Sequence, residues 1–162
     1  MLVALKIQIK RLDKELPLPT YAYAGDAAFD LLSMEEVALK PGERKGIRTG
    51  LMMEIPEGYV GLIWDKSGLA IRGGLKTLGG VIDCGYRGEV LVGVINLSDV
   101  VYHFKKGEKI GQMIIQKKET AEMEEVEDTT ETERGEKGLE SAEKKYKKKK
   151  KKIFRGRSKI SD

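Results

Sequence analysis

The apolar residues between Leu5 and Gln116 come in short runs, and glycine or proline punctuates the spaces between them. Leu5, Ile7 and Ile9 alternate with Lys6, Gln8 and Lys10, the period of a half-buried strand. Pro17 and Pro19 then break regular structure. Small residues from Ala24 to Ala28 turn the chain into a short strand around Phe29 to Leu32. Val37 to Leu39 closes at Pro41-Gly42, and Ile47 to Ile55 turns at Pro56-Glu57-Gly58 into Tyr59 to Trp64. Val90 to Leu97, Val101 to Phe104 and Lys109 to Gln116 read as further strands. Asp65 to Gly74 is the one short helical turn expected in the body. Strands at about 8–12-residue spacing predict an all-β fold, a jelly-roll-like β-sandwich.

The C-terminus has a different character. Residues 1–142 hold 19 Lys and Arg against 24 Asp and Glu, a net of −5; residues 143–162 hold 11 against 2, a net of +9. The overall +4 therefore hides a mildly acidic body. The expected organisation is a β domain over 1–118, an acidic arm over 119–142 and a lysine-rich tail over 143–162. The unbroken run Lys147 to Lys152 repels itself and is expected to be disordered. One cysteine, Cys84, excludes an internal disulfide and fits a reducing compartment. The first ten residues alternate and do not read as a signal peptide, and no run approaches the roughly 18 apolar residues of a membrane span. Cytoplasm is the expected location, with no membrane partner.

Four glycines fall within Gly79-Gly80-Val81-Ile82-Asp83-Cys84-Gly85-Tyr86-Arg87-Gly88. With Leu75, Leu78 and Val90-Leu91-Val92 on either side, the stretch reads as a β-hairpin around a pocket. Asp83 follows two apolar residues, so its carboxylate is expected at the edge of a buried wall, placed as a general base towards a water. An aspartate bonded to its own turn is the other reading. Ser67-Gly68 beside Lys66 offers a hydroxyl, backbone N–H groups and a charge to phosphate oxygens, or else a plain N-cap serine. Gln112, between Ile110 and Ile114, is either a ligand donor or a polar group at an edge. Arg134 reaches a phosphate or is simply solvated.

Taken together these segments resemble the homotrimeric dUTPases, in order across about residues 20–142. AGDAAFDLLS at 24–33 is similar to the family's first motif, DKSGLA at 65–70 to the second, GGVIDCGYRGEV at 79–90 to the third and GEKIGQMI at 107–114 to the fourth. RGEKGLESA at 134–142 resembles the fifth in part. The resemblance implies a trimer with three active sites at subunit interfaces. It also implies hydrolysis of dUTP to dUMP and pyrophosphate, with Mg²⁺ held mainly by the triphosphate and no direct protein ligand. By position, Asp83 would hold and deprotonate the attacking water. Lys66, Ser67, Gly68 and Gln112 would bind phosphates. The backbone of Leu78, Gly79, Val81 and Ile82 would pair with the uracil edge, with Thr77 nearby. Tyr86 would pack under the deoxyribose, Asp30 would support the site, and Arg134 would lie over the phosphates. Such chemistry needs mostly positioning, charge neutralisation and one oriented water.

Three departures stand out. Lys66 replaces the family's usual arginine, Leu139 takes the place of the fifth motif's aromatic, and Lys137 and Glu140 replace glycines. Asp83-Cys84-Gly85 also resembles the pattern of the related dCTP deaminases, but the position ten beyond Asp83, where they need a glutamate, is Gly93. A non-enzymatic, dUTPase-like module with a nucleic-acid-binding tail is the third reading. The +9 tail lies beyond the last resembling segment. A chain ending at Ala142 is therefore expected to keep its hydrolytic activity and lose only a weak, salt-sensitive binding to DNA or RNA. Titration of both chains with a labelled oligonucleotide at low and high salt checks this, and equal binding by the two removes the tail from any such role.

Overall fold

The computed structural model describes residues 5–132 and 134–135. The chain divides into two units, Met1–Thr120 and Ala121–Asp162. The expectations for Lys137, Leu139, Glu140 and the tail over 143–162 lie outside the described residues.

The first unit is built on alternation. Its strands are β1 (Gln8–Arg11), β2 (Phe29–Leu32), β3 (Val37–Leu39), β4 (Arg44–Glu54), β5 (Tyr59–Trp64), β6 (Leu75–Leu78), β7 (Val81–Ile82), β8 (Glu89–Asn96), β9 (Tyr102–Phe104) and β10 (Lys109–Lys117). The helix α1 (Ser67–Gly73) separates β5 from β6 and ends on Gly74 in the left-handed region, at φ 64. One sheet runs β1-β4-β8-β6, a second runs β2-β10-β5-β7, and β3 pairs with β9. All pairings are antiparallel. The first strand is shorter than the alternation from Leu5 suggests: Ile7 and Ile9 pack on the core, but Leu5 is exposed.

The sheets meet face to face, as the jelly-roll-like sandwich requires. Val90, Val92 and Val94 alternate inward from β8, and Leu31, Ile63 and Met113 come from the opposing sheet. A methyl placed on Gly111 of β10 would lie 3.2 Å from Val92, so glycine lets the layers close at that point. The buried amide of Asn96 has its groups satisfied. Its Nδ2 donates to the carbonyls of Leu39 and Val100, both at 2.8 Å, and its Oδ1 accepts from the N–H and hydroxyl of Ser98.

The expected hairpin exists, and it is more than a hairpin. Leu75 and Leu78 pair with Asn96 and Gly93, further along β8 than the expected Val90-Leu91-Val92, of which Leu91 and Val92 pair with β4 instead. The segment between them does not stay in that sheet. Val81 and Ile82 cross to the second sheet and pair with Leu62 and Gly61 of β5. The crossing happens at Gly79-Gly80. Gly80 sits at φ 106, its carbonyl accepts the Ile63 N–H at 2.8 Å, and a Cβ there would stand 2.9 Å from the Ile63 carbonyl oxygen.

Gly80→Ala is therefore expected to destabilise the fold by about 1–3 kcal/mol, the cost of forcing a side chain into such a backbone well. Gly85→Ala, where an added Cβ meets nothing within 4 Å, is the control and is expected to melt like the wild type. Equal denaturant midpoints for the two variants would remove Gly80 from this role.

Candidate active site

Backbone ladders place Asp30, Gln112 and Trp64 side by side. Gln112 of β10 pairs with Asp30 of β2 on one side and with Trp64 of β5 on the other. Directly paired residues share a sheet face, so the three form one row. Trp64 is 53% exposed. The sequence reading misses Trp64, because only register brings it beside Gln112.

Asp30 is the row's charged end. Lys66 Nζ bonds its Oδ1, and Lys109 Nζ lies 2.6 Å from its Oδ2. Burial pushes the carboxyl up, but the hydrogen bonds from Lys109 and Lys66 outweigh it and hold Asp30 below the usual carboxylate range. The same pair raises Lys109. Lys109, like Trp64, is legible only through register, and a bulge between Lys109 and Gly111 makes that register irregular.

Lys66 and Lys109 also line a cleft of about 420 Å³ with Gly68, Arg72 and Tyr102. The lining carries three cationic side chains and no acidic one. Ser67 is the first residue of α1, and Lys66 holds the N-cap position with extended backbone and no side-chain cap. The N-cap reading of Ser67 is thereby corrected: the chain is still extended at residue 66, so the cap falls one position earlier. Arg72 lies across Gly68, where a Cβ would stand 3.0 Å from a guanidinium nitrogen.

Asp65 connects this region to the next strand. Its Oδ1 accepts the Thr77 N–H at 2.6 Å and the Thr77 hydroxyl at 2.7 Å, and its Oδ2 pairs with Lys76 at 2.7 Å. Its main-chain carbonyl accepts Gln112 Nε2 at 2.7 Å. Burial raises the Asp65 carboxyl, and the bonds from Lys76 and Thr77 more than reverse that. Thr77, expected near the substrate, thus gives both its donors to Asp65.

Beyond Thr77, Leu78 is exposed at the end of β6, Gly79 turns at φ 70, and Val81 is 67% exposed on β7. Asp83 follows, exposed rather than set into a buried wall, because β7 ends after two residues and the chain leaves the sheet. Its carbonyl accepts the Tyr86 N–H at 3.1 Å, closing a turn. Among the described residues its carboxylate takes no hydrogen bond or ion pair, so the side-chain-to-backbone turn bond is not formed. Tyr86 folds back over Gly88, where a Cβ would stand 2.6 Å from the ring's Cζ, and its hydroxyl donates to the Glu89 carbonyl at 2.9 Å. Glu89 in turn accepts the Gly50 N–H at 2.8 Å and pairs with Arg48 at 2.9 Å, fixing the far end of the loop to β4. Arg134 belongs to the second unit, exposed in a turn closed by the Gly135 N–H on the Thr132 carbonyl at 3.0 Å.

Two chemistries can be tested against this geometry. Among the described residues no three His, Cys, Asp or Glu side chains group to hold a metal ion, and Asp30 has both oxygens engaged by lysines. The deaminase reading meets a steric obstacle: a Cβ at Gly93 would stand 2.7 Å from the Leu78 carbonyl oxygen, so a glutamate there would push β6 off β8.

Comparison with known proteins gives the family of the chain. The family model for dUTPase matches residues 14–142. The deoxyuridine 5'-triphosphate nucleotidohydrolase of Thermobifida fusca (strain YX) is 44% identical over 119 residues, and the match spans 72% of this chain and 66% of that protein. The Mycobacterium leprae protein of the same name is 48% identical over 122 residues, 72% of this chain and 78% of that one. The Staphylococcus bacteriophage 80alpha dUTPase, solved with dUPNHPP, superposes with a TM-score of 0.79 at 32% identity, over 85% of this chain and 98% of that one. A mutant dUTPase from phage phi11 of S. aureus, described as coordinating a structural Mg(II) ion, gives 0.70 at 29% identity over 76% and 98%.

Asp30→Asn is expected to cost about 1–3 kcal/mol at neutral pH, because it leaves two ammoniums without their shared carboxylate. A lowered folded-state value means the contribution is present above the ordinary aspartate value and lost as pH falls through the folded one. The gap between wild type and variant should be level above about pH 5 and close below about pH 4. Thermal melts across that range check it, and a gap that persists at the acid end removes the charge from the explanation.

Proposed function

The chain belongs to the dUTPase family, and from that premise we propose that it is a dUTP diphosphatase that hydrolyses dUTP to dUMP and pyrophosphate. The observation that carries the reading is the placement of Asp83. It lies on a loop anchored at both ends in different sheets, with its carboxylate unpaired among the described residues. A carboxylate so held can orient a water and take its proton as the oxygen attacks the α-phosphorus. The bond from that phosphorus to the bridging oxygen breaks, and pyrophosphate leaves.

The cationic cleft supports the phosphate end of the same reading. Lys66, Ser67, Gly68 and Gln112 bind phosphate oxygens, and Arg134 adds charge from the arm. Bound Mg²⁺ would supply further neutralisation of the triphosphate, carried by the nucleotide itself. At the base end the backbone of Leu78, Gly79, Val81 and Ile82, at the sheet crossing, meets the uracil edge. Tyr86, whose ring is braced over Gly88, packs against the sugar.

The working unit is a homotrimer with interfacial sites. Its support is the outward apolar face of the second sheet, where Val81, Leu62 and Ile114 stand in one register row. The domain over 1–118 carries the fold, the arm over 119–142 holds the partly matching fifth motif, and the tail over 143–162 makes weak polyanion contacts. No helix among the described residues is long and apolar enough to cross a membrane. A cytoplasmic enzyme of this kind keeps uracil out of DNA and supplies dUMP for thymidylate synthesis.

Asp83→Asn keeps the shape and removes the base. Turnover of dUTP should fall by at least about 10²-fold, within the range that general-base catalysis contributes. Binding of a non-hydrolysable analogue should be nearly unchanged. Pyrophosphate release and a calorimetric titration measure the two, and wild-type turnover in the variant would take Asp83 out of this role.

A further inference from the structure

Asp65 belongs to none of the roles assigned so far, yet more of the site converges on it than on any residue named above. Its carboxylate has three donors within 2.7 Å: the Thr77 N–H, the Thr77 hydroxyl and Lys76 Nζ. Its carbonyl has a fourth, Gln112 Nε2, at 2.7 Å. These donors come from both sheets. Thr77 lies on β6, at the edge of β1-β4-β8-β6, and Gln112 on β10, inside β2-β10-β5-β7. Asp65 itself stands between Trp64 at the end of β5 and the Lys66-Ser67-Gly68 turn.

The edge position of β6 gives these bonds their importance. An edge strand has one side without a ladder, so nothing in the sheet fixes that side's N–H groups. Here the carboxylate of Asp65 takes the place of a neighbouring strand at Thr77. The residues that follow, Leu78 and Gly79, are the first of the sheet crossing and of the exposed base-binding backbone. The residues that follow Asp65 are those of the phosphate-binding turn. One residue therefore touches both segments, the first through its carboxylate and the second through its main chain.

We propose that Asp65 is a positioning residue for the reaction, acting through Thr77 on the base-binding edge and through its own backbone on the phosphate-binding turn. Thr77 then serves as the arm of this clamp, with its hydroxyl committed to Asp65 and not offered to substrate. The inference rests on the proposed hydrolysis of dUTP.

The test uses the full chain and five variants: Asp65→Asn, Asp65→Ala, Thr77→Val, Thr77→Ser and the double variant Asp65→Ala/Thr77→Val. Wild-type turnover of dUTP is measured first, and a chain that leaves dUTP intact overturns the underlying reading before any variant is made. Given turnover, Asp65→Ala and Thr77→Val should each lower kcat/KM by roughly 10- to 100-fold, the scale of small misplacements at a reacting centre. Thr77→Ser, which keeps the hydroxyl, should restore most of the activity. The double variant should lose no more than the worse single one, because both break the same contact. Deoxyuridine, used as a competitive inhibitor, should bind more weakly to Asp65→Ala and Thr77→Val, since it carries base and sugar but no phosphate and so reports on the nucleoside end of the site. If Asp65→Ala does not fold, Asp65→Asn and the Thr77 pair carry the same comparison. Variants that melt earlier but keep wild-type kcat/KM and deoxyuridine inhibition would make Asp65 a purely structural residue and overturn the inference. Additive losses in the double variant would do the same.

Discussion

The structure depends on a stretch of chain that has to serve two sheets at once. Between Leu75 and Asn96 the backbone leaves the first sheet, pairs for two residues in the second, and returns. Only a residue without a side chain can make the departure, because Gly80 lies against the Ile63 carbonyl with φ at 106. The return is fixed differently, by the Glu89 carboxylate on Arg48 and on the Gly50 N–H. A loop tethered in this way is held at its ends while Asp83, Gly85 and Tyr86 in its middle stay exposed. That combination suits the general base proposed for Asp83: a fixed position with access to water.

The acidic side chains around the site divide their work by environment. Asp30 and Asp65 are each surrounded by donors and held below the ordinary carboxylate range, so both are spent on holding the structure in place. Asp83 has no such partners among the described residues. Three aspartates of the same chemistry thus stand in different hydrogen-bonding environments, and only the third leaves its carboxylate open to a water, as its proposed role requires.

Much of this is legible in the sequence, and the limits are specific. Strands over 37–39, 44–54, 59–64, 89–96 and 109–117 follow from alternation and punctuation, which are local properties. The short helix and its glycine terminus follow in the same way. That a hairpin forms is readable, but the detour of Val81 and Ile82 is not, since nothing local says which sheet a two-residue strand joins. Trp64 and Lys109 enter the site through register across β5, β10 and β2, with a bulge in one pairing, and a sequence does not print register. Asp65 and Glu89 bond to partners 12 and 41 residues away. The helix cap falls at Lys66 rather than Ser67, on an extended backbone without any capping side chain, and residue preference alone points to the serine.

The lysine at position 66 shows how such partners change the reading of a single substitution. An arginine, usual in the resembling motif, would present a planar fork able to take both oxygens of one carboxylate. An ammonium is a point charge and takes one. In this chain Lys66 takes Oδ1 of Asp30, and Lys109, arriving from β10, takes Oδ2. The two lysines together engage the carboxylate as a bidentate guanidinium would, and they do so from two segments of chain instead of one residue. Both also face the cleft, which therefore carries two separate cations around a shared counter-charge. The positions of both ammoniums are fixed by Asp30. The loss of the fork at residue 66 is offset by charge placed through the fold rather than through one side chain.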